Sequence, residues 1–130
     1  MTDHYKVFLI DDDKVALKVI TKLFKPYDVE IFTFSNPIEG LAAIEEHRPQ
    51  LVFLDYMMPE MNGDEVIVKV SEAKLFSDCA LYLLSASDFD DLQVIKFRTL
   101  GFYDVLHKPL RSEVIEAVFN FHFGKIPFAA

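Results

Sequence analysis

A single cysteine, a shortage of basic residues and the lack of any long apolar stretch set the first limits on this 130-residue chain. Cys79 alone can neither close an internal disulfide nor build a multi-thiolate metal site, and beside the apolar run Ala80 to Leu84 it reads as a small buried hydrophobe. Lys and Arg number 13 against 21 Asp and Glu, a formal charge of −8 that argues against a surface made to grip phosphate backbones, so no direct nucleic-acid contact is expected. No stretch reaches the roughly 18 uninterrupted apolar residues of a membrane span, and Met1-Thr2-Asp3-His4-Tyr5 has neither the basic start nor the apolar core of a signal peptide. The expectation is a soluble cytoplasmic protein with no membrane partner. Internal repeats, linkers and low-complexity tracts are also missing, which predicts one domain over 1–130, with its core at about 6–123 and a short tail at 124–130. A hydrophobic content of 52% is enough to fill one core without covalent or metal staples.

Short apolar runs alternate with longer segments of helical period, the pattern of a parallel sheet covered by helices on both faces. The runs are Tyr5 to Ile10, Val29 to Phe34, Leu51 to Leu54, Ala80 to Leu84 and Phe102 to Leu106. A first helix is expected to start at an Asp13 cap and stop before Pro26, turning Ala16, Ile20 and Leu23 inward. A second starts at Asn36 with Pro37 in the first helical position and an inward stripe of Ile38, Leu41, Ala42 and Glu45. Asp64 or Asn62 caps a third, with Val66, Ile67 and Val70 inward. A fourth runs from an Asp88 cap to Gly101. Ser112 opens a fifth, with Val114, Ile115, Val118, Phe119 and His122 inward. Five such units predict an α/β, doubly wound, flavodoxin-like fold. Its five-stranded parallel sheet has strand order 2-1-3-4-5, with five helices on two faces and functional loops at the carboxyl ends of the strands.

Those ends carry the chemistry. The first run finishes in Asp11-Asp12-Asp13, the third in Asp55, the fourth in Ser85-Ala86-Ser87 and the fifth in His107-Lys108-Pro109. The predicted order makes the first and third strands neighbours, so Asp11, Asp12 and Asp55 converge at the switch point. Carboxylates about 4 Å apart repel by roughly 4 kcal/mol at an effective dielectric near 20, which favours protonation or a cation between them. Oxygen-only ligands suit Mg²⁺. The blander alternatives are a solvated Asp turn with Asp13 as cap, and a solvated lysine at Lys108. Asp55 resists that treatment, because it follows four apolar residues and precedes Tyr56-Met57-Met58-Pro59. His4, His47, His107 and His122 have no metal-ligand spacing. The phenylalanines of the carboxyl-terminal half read as core.

From Lys6 to about Phe123 the sequence resembles the receiver domain of two-component response regulators. The segments that carry the likeness are Val7-Phe8-Leu9-Ile10-Asp11-Asp12-Asp13, Leu51-Val52-Phe53-Leu54-Asp55-Tyr56-Met57-Met58-Pro59-Glu60-Met61-Asn62-Gly63, Leu84-Ser85-Ala86 and Lys108-Pro109. The resemblance implies a phosphoacceptor switch that catalyses only its own phosphorylation and dephosphorylation. Asp55 would take a phosphoryl group from a phosphohistidine on a histidine kinase or histidine phosphotransfer protein. It also implies Mg²⁺ bound by Asp12 and Asp55, by the Met57 backbone carbonyl, and by Asp11 largely through water. Ser85 and Lys108 would meet the phosphoryl oxygens, and the Lys108–Pro109 bond would be cis.

The chain departs from that pattern at one place. Many receivers carry an aromatic residue three positions before the lysine, where this chain has Val105. Tyr103 is the candidate substitute, expected on the same strand face about 6.6 Å away, and the relay is assigned to the pair Tyr103 and Val105. Two other functions compete. Asp11-Asp12-Asp13-Lys14-Val15 is similar to the Asp-x-Asp-x-Val nucleophile motif of haloacid-dehalogenase-type phosphatases, although Leu110-Arg111 supplies no acidic metal motif after the lysine. The other competitor is a receiver-like binding module that is not phosphorylated.

Overall fold

The computed structural model describes residues 5–59, 61–75 and 79–124, with backbone alone at 62 and 63. His4, Glu60, Phe128 and the tail beyond Gly124 lie outside the described residues. Strands β1 (Tyr5–Ile10), β2 (Val29–Phe34), β3 (Leu51–Asp55), β4 (Ala80–Ser85) and β5 (Asp104–His107) alternate with helices α1 (Lys14–Phe24), α2 (Pro37–His47), α3 (Gly63–Glu72), α4 (Asp91–Leu100) and α5 (Ser112–Phe123). All five strands pair in parallel, in the order β2-β1-β3-β4-β5. A two-residue antiparallel ribbon, Met57–Met58 against Met61–Asn62, leads into α3.

Period-two alternation divides the core between the faces of the sheet. Phe8, Ile10, Val52, Leu54, Leu81 and Leu83 point to one side, against Ile44 of α2, Val66 and Val70 of α3 and Phe97 of α4. Val7, Leu9, Leu51, Phe53, Tyr82 and Leu84 point to the other, against Leu17, Ile20 and Phe24 of α1 and Ile115, Val118 and Phe119 of α5. Every residue of β3 is buried, as a central strand covered on both faces requires. Each such Leu or Phe contributes about 1.5–3 kcal/mol by leaving water.

Caps set the helix starts. The Asp13 carboxylate accepts the N–H groups of Val15 and Ala16, and the Asn36 side chain accepts those of Ile38 and Glu39 ahead of Pro37. Helix α4 starts later than expected. Asp90, not Asp88, is its cap, in a reciprocal box with Gln93. Helix α3 begins at Gly63, so Asp64 sits in its first turn instead of capping it. The inward face of α2 is also corrected: Pro37, Gly40 and Ile44 are buried, while Ile38, Ala42 and Glu45 face out and Leu41 is half-buried. Gly40 decides this, because a Cβ there would lie 2.7 Å from Ile10 Cδ1, and its absence lets the helix settle onto β1. On α1, Leu17 and Phe24 join Ile20 as the deepest residues, with Ala16 and Leu23 half-buried beside them. Strand β5 starts at Asp104, not Phe102. Phe102 belongs to the end of α4, where its N–H and that of Gly101 both reach the Phe97 carbonyl.

Candidate functional site

Strand register brings the polar residues together. Ile10 pairs with Leu54, which sets Asp11 beside Asp55; Asp55 pairs with Leu84, and Ser85 with His107, which Lys108 follows. Parallel neighbours lie about 4.8 Å apart, so consecutive strands deliver these side chains to one small volume at the carboxyl edge of the sheet. Backbone bonds fix the edge. The Asp11 N–H donates to the Phe34 carbonyl (3.0 Å), Tyr56 N–H to Leu84 (2.9 Å) and Lys108 N–H to Ser85 (2.8 Å). Lys108–Pro109 is the cis peptide bond.

Asp11 and Asp55 are buried, and with Asp12 they offer three carboxylate oxygens within 4.8 Å of one another. The Lys108 ammonium bridges two of them, 2.6 Å from Asp11 Oδ2 and 3.1 Å from Asp55 Oδ1. Burial is the main influence on Asp55 and pushes its pKa up to about 6; the Lys108 hydrogen bond opposes the rise, and the charges of Asp11 and Asp12 add to it. For Lys108 burial pulls downward, yet hydrogen bonds to Asp11 and Asp55 leave it above the ordinary lysine value. Three hard oxygen donors at an open strand edge match a divalent cation that keeps part of its water shell.

Ser85 is buried and its hydroxyl is turned into its own loop, donating to the Ser87 carbonyl (2.9 Å) and accepting the Ser87 N–H (3.1 Å). The Met57 side chain is exposed.

A family model, the response regulator receiver domain, matches residues 7–120. The chain belongs to the receiver family. It is 28% identical over 123 residues to Protein PilG of Pseudomonas aeruginosa, covering 93% of this chain and 89% of that one. It is 29% identical over 111 residues to hybrid signal transduction histidine kinase D of Dictyostelium discoideum, of which the match spans 7%. The chemotaxis protein CheY4 of Vibrio cholerae superimposes with a TM-score of 0.79 at 19% identity, covering 93% of this chain and all of that one; this likeness concerns the fold. As a receiver, the chain is a phosphoacceptor signalling switch of two-component systems, and nothing in these comparisons favours a phosphatase.

Inside this receiver, Tyr103 and Val105 part company. Val105 packs into the core shared with α3 and α4. Tyr103 precedes the strand and lies on the α5 side, stacked on Tyr82 (5.9 Å, 25°) and edge-on to His122 (4.6 Å). Because the Gly101 and Phe102 N–H groups close α4 onto the Phe97 carbonyl and the strand starts only at Asp104, the alternation expected between 103 and 105 never starts, and Tyr103 cannot stand in for a ring at Val105. The ring beside the Ser85 loop is Phe89, packed against the core as expected, and what sequence reasoning missed is its place next to Ser85. It packs edge-on against Tyr56 (5.0 Å) and Phe97 (5.1 Å), with a cavity of about 160 Å³ between Ser85, Phe89, Val94 and Val105. Also missed was the tie from the loop to β5, His107 Nε2 to Asp88 Oδ1 at 3.1 Å. Its only sequence signal was an unassigned His at a strand end facing an acidic loop.

Proposed function

We propose that Asp55 is the phosphoacceptor, that its donor is a phosphohistidine on a histidine kinase or histidine phosphotransfer protein, and that the protein works in the cytoplasm. The observation that carries this reading is the Lys108 ammonium held between Asp11 and Asp55 at the one edge where all three carboxylates meet. Asp11, Asp12, the Asp55 carboxylate and the Met57 carbonyl would hold Mg²⁺, which supplies charge neutralisation for the approaching phosphoryl group. A carboxylate oxygen of Asp55 forms the new bond to phosphorus as the phosphorus–nitrogen bond breaks. Its electron pair returns to the imidazole, which picks up a proton. Lys108 already touches Asp55, so its ammonium is placed to meet the charge that gathers on the product.

The switch follows from Ser85. In the unmodified protein its hydroxyl donates to the Ser87 carbonyl, so engaging a phosphoryl oxygen breaks that contact and frees the 85–89 loop to move. The loop carries Phe89 with it, while Val105 stays in the core and Tyr103 keeps its stack on Tyr82.

Acetyl phosphate with Mg²⁺ should add one phosphoryl group, located at Asp55 by intact mass and peptide mapping and absent from Asp55→Asn. Modification at Asp11, or unreduced labelling of the Asn variant, would move the nucleophile.

A further inference from the structure

A large groove distinct from the phosphoryl pocket starts beside it, at Lys14 and Ser35. It lies between α1 and the edge strand β2 and encloses about 650 Å³. Lys14, Lys18, Lys22 and Lys25 form one wall; Ile31, Thr33 and Ser35 of β2 form the other. At 100° per residue the four lysines fall within an arc of about 80°, a single column on the helix. No carboxylate lines the groove, and none of the four makes an ion pair among the described residues. This placement opposes the rest of the molecule. The chain's −8 divides into +4 on residues 14–25 and −12 on everything else.

The geometry points to a docking site for an extended acidic segment of a partner protein, with Asp or Glu at alternate positions. Lysines four apart on a helix are spaced about 6 Å along its axis, and alternate residues of an extended strand about 6.6 Å, so three or four acids can meet the column one for one. The whole column spans about 16 Å, roughly five residues of extended chain. Side chains between the acids face Ile31 and the Thr33 and Ser35 hydroxyls. A concave cleft admits one strand. A bilayer or a nucleic-acid duplex would instead set a broad polyanionic surface against the −12 of the remaining molecule.

The test uses the full chain, ¹⁵N-labelled, and two heptapeptides of equal composition: Glu-Val-Glu-Val-Glu-Val-Glu and the block isomer with four Glu followed by three Val. The alternating peptide should bind saturably, shifting amides of residues 14–25 and of Thr33 and Ser35. Affinity should fall with added salt, and by about tenfold or more in the double variant K18E/K22E. That variant should still be labelled by acetyl phosphate as wild type is, which reports that it is folded. Equal affinity for the block isomer, shifts centred elsewhere, or binding unchanged by K18E/K22E would overturn the proposal. So would capture by phosphatidylglycerol vesicles or a DNA duplex without any response to the peptide, or self-association abolished by K18E/K22E, which would make a second copy the occupant.

Discussion

Asp55 is buried beside two other carboxylates and one ammonium, and in the folded chain it holds its proton up to about pH 6, against 3.8 for an unperturbed Asp. Between those values the folded state carries the extra proton. The group's contribution to stability is therefore fully present below about pH 4, is lost as pH rises through that window, and is lowest above pH 6. Asp11, Asp12 and Lys108 are the charged groups that face it. We expect metal-free Asp55→Asn to be more stable than wild type by about 1–3 kcal/mol at pH 7.5, with the difference closing near pH 4. Urea denaturation in EDTA at both pH values reads this directly. An equal gain at both would assign the effect to packing and not to charge.

Phe97 is the one buried residue of α4, whose start depends on the Asp90 and Gln93 box. Asp90→Ala should cost about 1 kcal/mol and lower amide protection in α4 well before α3 or α5. Uniform loss of protection across the helices would show that α4 is not an independent unit. Helix α2 depends instead on close approach. Gly40→Ala favours the helix by nearly 1 kcal/mol in propensity, but the added methyl meets Ile10 at 2.7–3.1 Å. Ile10 is β-branched and buried, so it cannot swing away freely, and a net destabilisation of about 1–2 kcal/mol is expected. A urea midpoint equal to or above wild type would mean that β1 and α2 separate easily.

For the whole molecule, a cation at the acidic edge couples local charge to global stability. Mg²⁺ at a hundred times its dissociation constant should stabilise the fold by about 2.7 kcal/mol, several degrees in melting temperature. Asp12→Ala should abolish most of that gain without lowering the metal-free melting temperature, since Asp12 makes no ion pair with Lys108 and its loss relieves repulsion. A scan of melting temperature against Mg²⁺ for both proteins checks it. An undiminished response in the variant would take Asp12 out of the site.

The two-faced core and the placing of Asp11, Asp12, Asp55, Ser85 and Lys108 at or just past strand ends were legible in the chain. Each rests on period-two or helical patterning and on residues that end a strand, which are local properties. Tertiary structure decided the rest. Ile38, Ala42 and Glu45 fit a helical stripe as well as Pro37, Gly40 and Ile44 do, and only the contact with Ile10 selects the second set. Asp88 and Asp90 are equal candidates for a cap until one of them finds Gln93. Tyr103 and Val105 share a face only if the strand has already begun at 103, and the hydrogen bonds from Gly101 and Phe102 that close α4 delay it to Asp104. The bridge from Lys108 to Asp11 spans 97 positions. Such a contact is set by sheet register, and no local pattern in the chain encodes its length.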